Sequence, residues 1–535
     1  MVQGAMVRVM TRTAIGMVLG ALVVMARPAA IGAQQAYDIV IRGGRLLDGT
    51  GNPWYYADVG IRGDRIVAVG NLAGAAAGRT IDATGLYVAP GFIDAHTHAG
   101  GGLARPELSH ARPLLAQGIT TVIINPDGQG PVDLVAQREV LERNGIGVNA
   151  AQLLGHGSVR QAVLGMEDRA PTAAELARMG ALVRAGMEAG AFGLSSGPYY
   201  APGSYSTTEE LVALARIAAE YDGTYTSHIR DESDYTVGLI AALDEVITVA
   251  REARLPSVAT HLKALGPRVW GFGPALAKRI ERARGEGLEV FADQYPYTAS
   301  ATGLTAALVP RWAQAGGGDS LLARLADPGA RARIRAEMIE NLDRRGGADR
   351  IQFRTHDADH SIEGRTLAAV AAARGLDAVD AAIALVEAGS AGIVSFNMDD
   401  SDVEFLMRQP WMMTASDGDL VAPDRGVPHP RIYGTFPRKL GVYVRDRAIV
   451  DLGSAVRSMT TLPATVFRIA DRGEIRPGMF ADIVVFDLER LRDLATYQQP
   501  HQLSEGMVHV LVNGVAAIDR GAFTGEVPGK VLLRR

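Results

Sequence analysis

The sequence predicts an α/β protein: a (β/α)8 TIM-like barrel, a small β-sandwich made from both chain ends, and an inserted helical lid. Three observations predict this. Apolar strand-like runs alternate with helical stretches from about Leu86 to Ala470, the signature of parallel βα units. Short β segments separated by turn residues occur at both ends of the chain. Ligand-type side chains recur where the apolar runs end, and in such barrels chemistry gathers at the carboxyl ends of the strands.

The 535 residues exceed what one simple core needs and suit a large barrel with a satellite unit. Hydrophobic content of 47% and charged content of 21% are those of a globular protein. A net charge of −5 gives no electrostatic basis for nucleic-acid binding. The absence of cysteine excludes disulfides, thiolate ligands, a Cys nucleophile and a lipid-modified Cys.

At the N-terminus, Arg8 and Arg12 precede an apolar run from Ala14 to Ala26 and a small-residue stretch ending Ile31-Gly32-Ala33. This is the plan of a secretory signal peptide over residues 1–33. The run is short for a membrane span, so the mature chain is expected to be exported, periplasmic or secreted, with no stable span.

Residues 34–88 and 470–535 are read as the β-sandwich. Asp38–Arg42, Asp58–Ile61 and Arg65–Val69 at one end, and Asp482–Phe486 and Val508–Gly514 at the other, have the length and β-branched content of strands with their turns. Residues 89–469 are read as the barrel. Its helices include Val132–Arg143 and Pro171–Ala189. Residues 305–349, rich in Ala and Arg and containing Gly316-Gly317-Gly318, interrupt the alternation and are read as a helical lid.

The most informative stretch is Gly91-Phe92-Ile93-Asp94-Ala95-His96-Thr97-His98, directly after an apolar run. Side chains at i and i+2 of a strand share a face, so His96 and His98 aim two imidazoles at one point. A divalent ion such as zinc takes nitrogen ligands at about 2.0–2.1 Å. Later strand ends add Asp127, His228, His261 and Asp417. A lone His or a lone Asp before Gly is ordinarily structural; donors at one end of many strands are a metal site.

These residues resemble the amidohydrolase superfamily of metal-dependent hydrolases. The resemblance lies in Pro90-Gly91-Phe92-Ile93-Asp94-x-His96-x-His98, the later His228, His261 and Asp417, and the closing Ile475–Val484 segment. Leu154–Arg160, Gly193–Gly197, Tyr295–Ser300 and His429–Arg438 are similar to the D-aminoacylase branch, the N-acyl-D-amino-acid deacylases. That branch typically ends its second strand in a metal-binding Cys; here the position reads Asp127, a harder, anionic ligand. The fourth-strand candidate Ala191–Ser196 has no lysine, which argues against a carboxylated-lysine bridge of hydantoinase type.

The resemblance implies one or two Zn2+ or other divalent ions. Asp127, His228 and His261 would form a tight site, and His96, His98 and Asp417 a second. Asp417 would handle the proton of the attacking water and His156 would support the oxyanion. Arg431, with Lys263, Tyr199, Tyr297 and Ser300, would bind an N-acyl amino acid. The implied reaction is hydrolysis of a C–N bond, giving a carboxylic acid and a free D-amino acid. The alternatives are an amidohydrolase acting on a cyclic amide or dipeptide, and a non-enzymatic binding protein carrying a metal site.

Overall fold

The computed structural model describes residues 37–534; the expected signal segment lies outside them. Eight parallel strands build the barrel: β1 (Phe92–Asp94), β2 (Ile119–Ile124), β3 (Asn149–Gln152, resumed at Leu154–Gly155), β4 (Gly193–Ser196), β5 (Thr224–Ser227), β6 (Ser257–Ala259), β7 (Val290–Gln294) and β8 (Met412–Thr414). Each pairs in parallel with the next. Every residue of β2 and of β7 is buried, which is why neither alternates between apolar and polar residues along its length.

The ring closes between β8 and β1 through the chain just beyond each strand. Asp417 N–H donates to His96 O at 2.9 Å, His98 N–H to Gly418 O at 2.9 Å, and Ala95 N–H to Thr414 O at 3.5 Å. Closure thus passes largely through the backbone of the expected metal ligands themselves. The surrounding helices carry local start signals. Ala173–Glu188 begins in a capping box in which Thr172 and Glu175 satisfy each other's backbone N–H, and Leu134–Asn144 is capped by Asp133.

Strands from the two ends of the chain interleave. Tyr87–Pro90 pairs in parallel with Arg45–Leu46 and antiparallel with Ile483–Phe486. A second sheet joins Tyr37–Arg42, Asp58–Arg62, Arg65–Gly70 and Ala77–Asp82, with Gly63 (φ +57°) turning the central hairpin. Ile41, Val59, Ile66, Val88, Ile483 and Leu511 share one core between the sheets. The 470–535 segment divides, however. Its last strand, Val531–Leu532, leaves the sandwich and pairs in parallel with β3 of the barrel.

The lid is larger than expected. A helical reading of residues 305–349 holds for Gly318–Ala326 and Pro328–Arg344. The inserted unit runs from Ser300 to Ser395 and includes an antiparallel sheet of Ser300–Gly303, Ala391–Ser395 and Ile351–His356. It has its own core, with Leu308, Ile334, Met338, Phe353, Leu367 and Ile393. The antiparallel strands resemble barrel strands in composition, so their membership in the insertion shows only in the pairing.

Lys439, at the end of helix Arg431–Arg438, is buried with no carboxylate beside it; its ammonium donates to Thr414 and Ser458 hydroxyls, both at 2.8 Å. Burial pushes its pKa down to about 7. Between that value and the unfolded value near 10.4 the unfolded chain binds the extra proton, so stability rises with pH over this window. Lys439→Met is therefore expected to be more stable than the parent at pH 6 by roughly 1–3 kcal/mol, with the gain shrinking towards pH 10. Denaturant unfolding at the two pH values checks this.

Candidate metal centre

Asp127 is the hub of the site. It follows β2 in the Asn125-Pro126-Asp127-Gly128 turn, with φ of +57°, a region costly for a side chain with a Cβ. His261 (φ +36°) and Asp417 (φ +49°) share this strain. Each sits one to three residues past its strand, where the chain must turn sharply to keep the side chain over the barrel axis.

The two oxygens of Asp127 face different imidazoles. Oδ1 lies 3.5 Å from His96 Nε2 and 3.5 Å from His261 Nε2. Oδ2 lies 3.3 Å from His98 Nε2 and 3.7 Å from His228 Nδ1. Asp417 Oδ1 adds contacts of 3.6 Å to His96 and 3.3 Å to His98. All six expected ligand side chains therefore converge. The expected division into two triads is corrected in one respect: Asp127 spans both sets, because each of its oxygens faces one imidazole from either set. Donor atoms of His96, Asp127, His261 and Asp417 lie within 4.8 Å of one another, as do those of His228, Glu232 and His261.

The cluster fits a divalent ion on its own chemistry. His96 Nε2, Asp127 Oδ1 and both ring nitrogens of His228 are buried without a hydrogen-bond partner. Orphaned polar atoms of this kind are costly unless something binds them. Burial pushes the His228 pKa down, keeping it a neutral ligand. For Asp127, burial acts upward, but the imidazoles of His96, His228 and His261 hold it well below the usual carboxylate range. Burial likewise disfavours charge on His98, yet hydrogen bonding to Asp127 and Asp417 raises its pKa to about 9.

Glu232 was not foreseen. It is buried four residues after His228, with Oε1 3.2 Å from His261 Nδ1 and in an ion pair with Lys263 Nζ. Lys263 Nζ also lies 2.8 Å from His261 Nδ1. Together they orient the His261 ring so that its other nitrogen faces the cluster. A carboxylate one helical turn from a His was the available signal, but the segment is a loop.

Tyr199, Lys263 and Ser300 line the cavity beside the cluster, as expected. Two expectations are corrected. His156 turns away from the centre: its Nε2 is 2.8 Å from Glu210, which also pairs with Arg160, so its ring serves a buried network under the helix His156–Leu164. Tyr297 is packed against His429, with ring centroids 5.1 Å apart, and under the Arg438 guanidinium. The cavity wall is instead Tyr295, two residues earlier, whose ring faces both Arg431 (4.7 Å) and Lys263 (5.7 Å). Arg431 is buried with Nη1 2.7 Å from Asp417 Oδ2. Tyr200, Leu265, Ala301, Thr302 and Arg345 also line it; Ala301, Thr302 and Arg345, like Ser300, come from the insertion.

An eight-stranded parallel barrel with buried imidazoles and carboxylates converging at its carboxyl mouth is the architecture of a metal-dependent hydrolase. The amidohydrolase family profile matches residues 79–518, and the chain belongs to that family. It is 37% identical over 523 residues to N-acyl-D-glutamate deacylase of Alcaligenes xylosoxydans xylosoxydans, covering 94% of this chain and 97% of that one. It is 35% identical to D-aminoacylase of the same organism, covering 94% and 98%. The solved N-acyl-D-glutamate deacylase from Bordetella bronchiseptica, complexed with zinc and a phosphonate mimic of the tetrahedral intermediate, is 36% identical. It superposes with a TM-score of 0.80 over 93% of this chain and 99% of that one. L-Hydantoinase from Arthrobacter aurescens shares the fold alone, at 15% identity and a TM-score of 0.58 over 93% and 100% of the two chains.

Asp127→Asn preserves shape and removes the central charge. It is expected to weaken zinc binding by about 100-fold or more, read by competition with a chelator; unchanged affinity would remove Asp127 from the ligand set. In the parent, a cation entering the cluster must displace the proton on His98. Zinc uptake at pH 7.5 should then release protons, and affinity should rise with pH up to about 9. Calorimetry in two buffers of different ionisation enthalpy measures this directly.

Proposed function

We propose that the protein hydrolyses the amide bond of N-acyl-D-amino acids, releasing a carboxylic acid and a free D-amino acid. The observation that carries this reading is the Asp127 carboxylate buried among His96, His98, His228 and His261, with Asp417 beside them. The relatives support the substrate class, since the named deacylases match over nearly the whole chain.

His96, His98, Asp127, His228, His261 and Asp417 would hold one or two zinc ions. Zinc held there supplies Lewis acidity, acidifying water and polarising a carbonyl. The remaining steps belong to the chain. Asp417 is an acceptor when ionised. Against the upward push of burial, Arg431 and the imidazoles of His261, His96 and His98 keep its pKa well below the usual range. It orients the attacking water, accepts its proton and delivers that proton to the leaving nitrogen, which departs poorly as an amide anion. Arg431 and Lys263, both beside the Tyr295 ring, form a cationic wall for the substrate α-carboxylate. Tyr199 and Ser300 shape the cavity further. The insertion, by contributing Ser300, Thr302 and Arg345, keeps bulk water from the reacting carbonyl.

We further propose export to the periplasm or medium, on the charge and hydropathy of residues 1–33.

A panel of N-acetyl-D- and N-acetyl-L-amino acids tests the reading. Release of D-amino acids, abolished by a chelator and restored by zinc, is the expected outcome. Hydrolysis confined to cyclic amides or dipeptides would replace it. Asp417→Asn should lower kcat by about 10²–10⁴-fold with the protein still folded; undiminished turnover would remove the proton-transfer assignment.

A further inference from the structure

Four arginines are buried among the described residues: Arg160, Arg345, Arg431 and Arg472. Three are neutralised, Arg160 by Glu210, Arg431 by Asp417 and Arg472 by Asp482. Arg345, with 1% of its surface exposed, is not. Its partners are neutral: Nη1 donates to Ser395 Oγ at 3.0 Å and to the Asn397 amide oxygen at 3.3 Å, and Nη2 to Tyr199 Oη at 3.0 Å, while Nε has no partner. The Tyr235 ring stands 6.0 Å away. The nearby acid Glu232 is taken up by Lys263 and His261.

A guanidinium offers five donors in a planar fork that matches a carboxylate. Burying one among neutral acceptors, with no carboxylate paired to it, is unfavourable in the free protein. Arg345 lines the catalytic cavity on the Tyr199 side. Arg431 stands at Asp417 and Lys263 at Glu232, so the two cations already placed on the α-carboxylate have acidic neighbours and Arg345 has none.

We propose that Arg345 binds a second carboxylate of the substrate, so that the preferred substrates are N-acyl-D-amino acids carrying an acid beyond the α-carboxylate. This rests on the N-acyl-D-amino-acid reading above. The second acid has two sources, the amino-acid side chain or the acyl group, and the chemistry that Arg345 recognises is the same.

The zinc-loaded full-length enzyme is assayed with N-acetyl-D-glutamate and N-acetyl-D-aspartate (acid on the side chain), N-succinyl-D-leucine (acid on the acyl group) and N-acetyl-D-leucine (neither). The expected result is a kcat/KM for one acidic class at least about 30-fold above that for N-acetyl-D-leucine, and the class preferred identifies the source. In Arg345→Met that ratio should collapse towards one, through a raised KM for the acidic substrate. Arg345→Lys, which keeps charge but loses the fork, should retain part of it. If N-acetyl-D-leucine is hydrolysed as fast as every acidic substrate by the parent enzyme, the inference is wrong whatever the variants do. An equal loss on acidic and neutral substrates in Arg345→Met would also overturn it. No hydrolysis of any member of the panel would instead overturn the N-acyl-D-amino-acid reading on which it rests.

Discussion

The buried carboxylate of Asp94 is the joint on which the centre depends. It accepts hydrogen bonds from Ser416 N–H at 2.8 Å, Ser416 Oγ at 2.5 Å and His96 N–H at 3.3 Å. These bonds fasten the end of the first barrel strand to the end of the last. His96 and His98 lie on one side of that seam and Asp417 on the other. A barrel that failed to close there would hold the two halves of the cluster apart. Burial pushes the Asp94 pKa up to about 7 against those same bonds, so the joint is made with a group that is costly to keep charged.

The parts of this protein that could be read from sequence are those governed by short-range periodicity. The i, i+2 rule places His96 and His98 on one face whatever the rest of the chain does. The strand ends also located Asp127, His228, His261 and Asp417, because parallel strands present their carboxyl ends on the same side. What periodicity cannot give is the direction of a side chain past the strand. Asp127, His261 and Asp417 all adopt left-handed backbone there, and nothing local distinguishes such a turn from one that points away. His156 shows the opposite outcome: its partner, Glu210, is 54 residues distant on another helix. Tyr295 and Tyr297 differ by two positions in an irregular segment that has no period to decide between them.

The helices of the insertion are legible in the sequence, and its full extent is not, for a related reason. Ile351–His356 and Ala391–Ser395 have the composition of barrel strands, and only their antiparallel pairing separates them. Their membership has a chemical consequence, because Thr302 and Arg345 reach the cavity from a unit with its own hydrophobic core. The metal ligands come from the barrel, and part of the cavity wall beside them comes from a separately packed body. Changes in the insertion can therefore alter selectivity while leaving the ligand geometry untouched.

The strand Val531–Leu532 beside β3 sets an order of assembly. Ala150 and Ala151 pair with residues more than 350 positions later, and Tyr87–Pro90 waits for Ile483–Phe486. Asn149, on β3, also bonds Asn513 and Asp482 in a buried network. Contacts of such sequence separation form late, after long loops have closed. Synthesis up to the end of the barrel leaves β3 with an unpaired edge and Tyr87–Pro90 without its antiparallel partner Ile483–Phe486. The last few residues thus act as a latch, and the nascent chain presents open strand edges to chaperones, or to its own copies, until they are made.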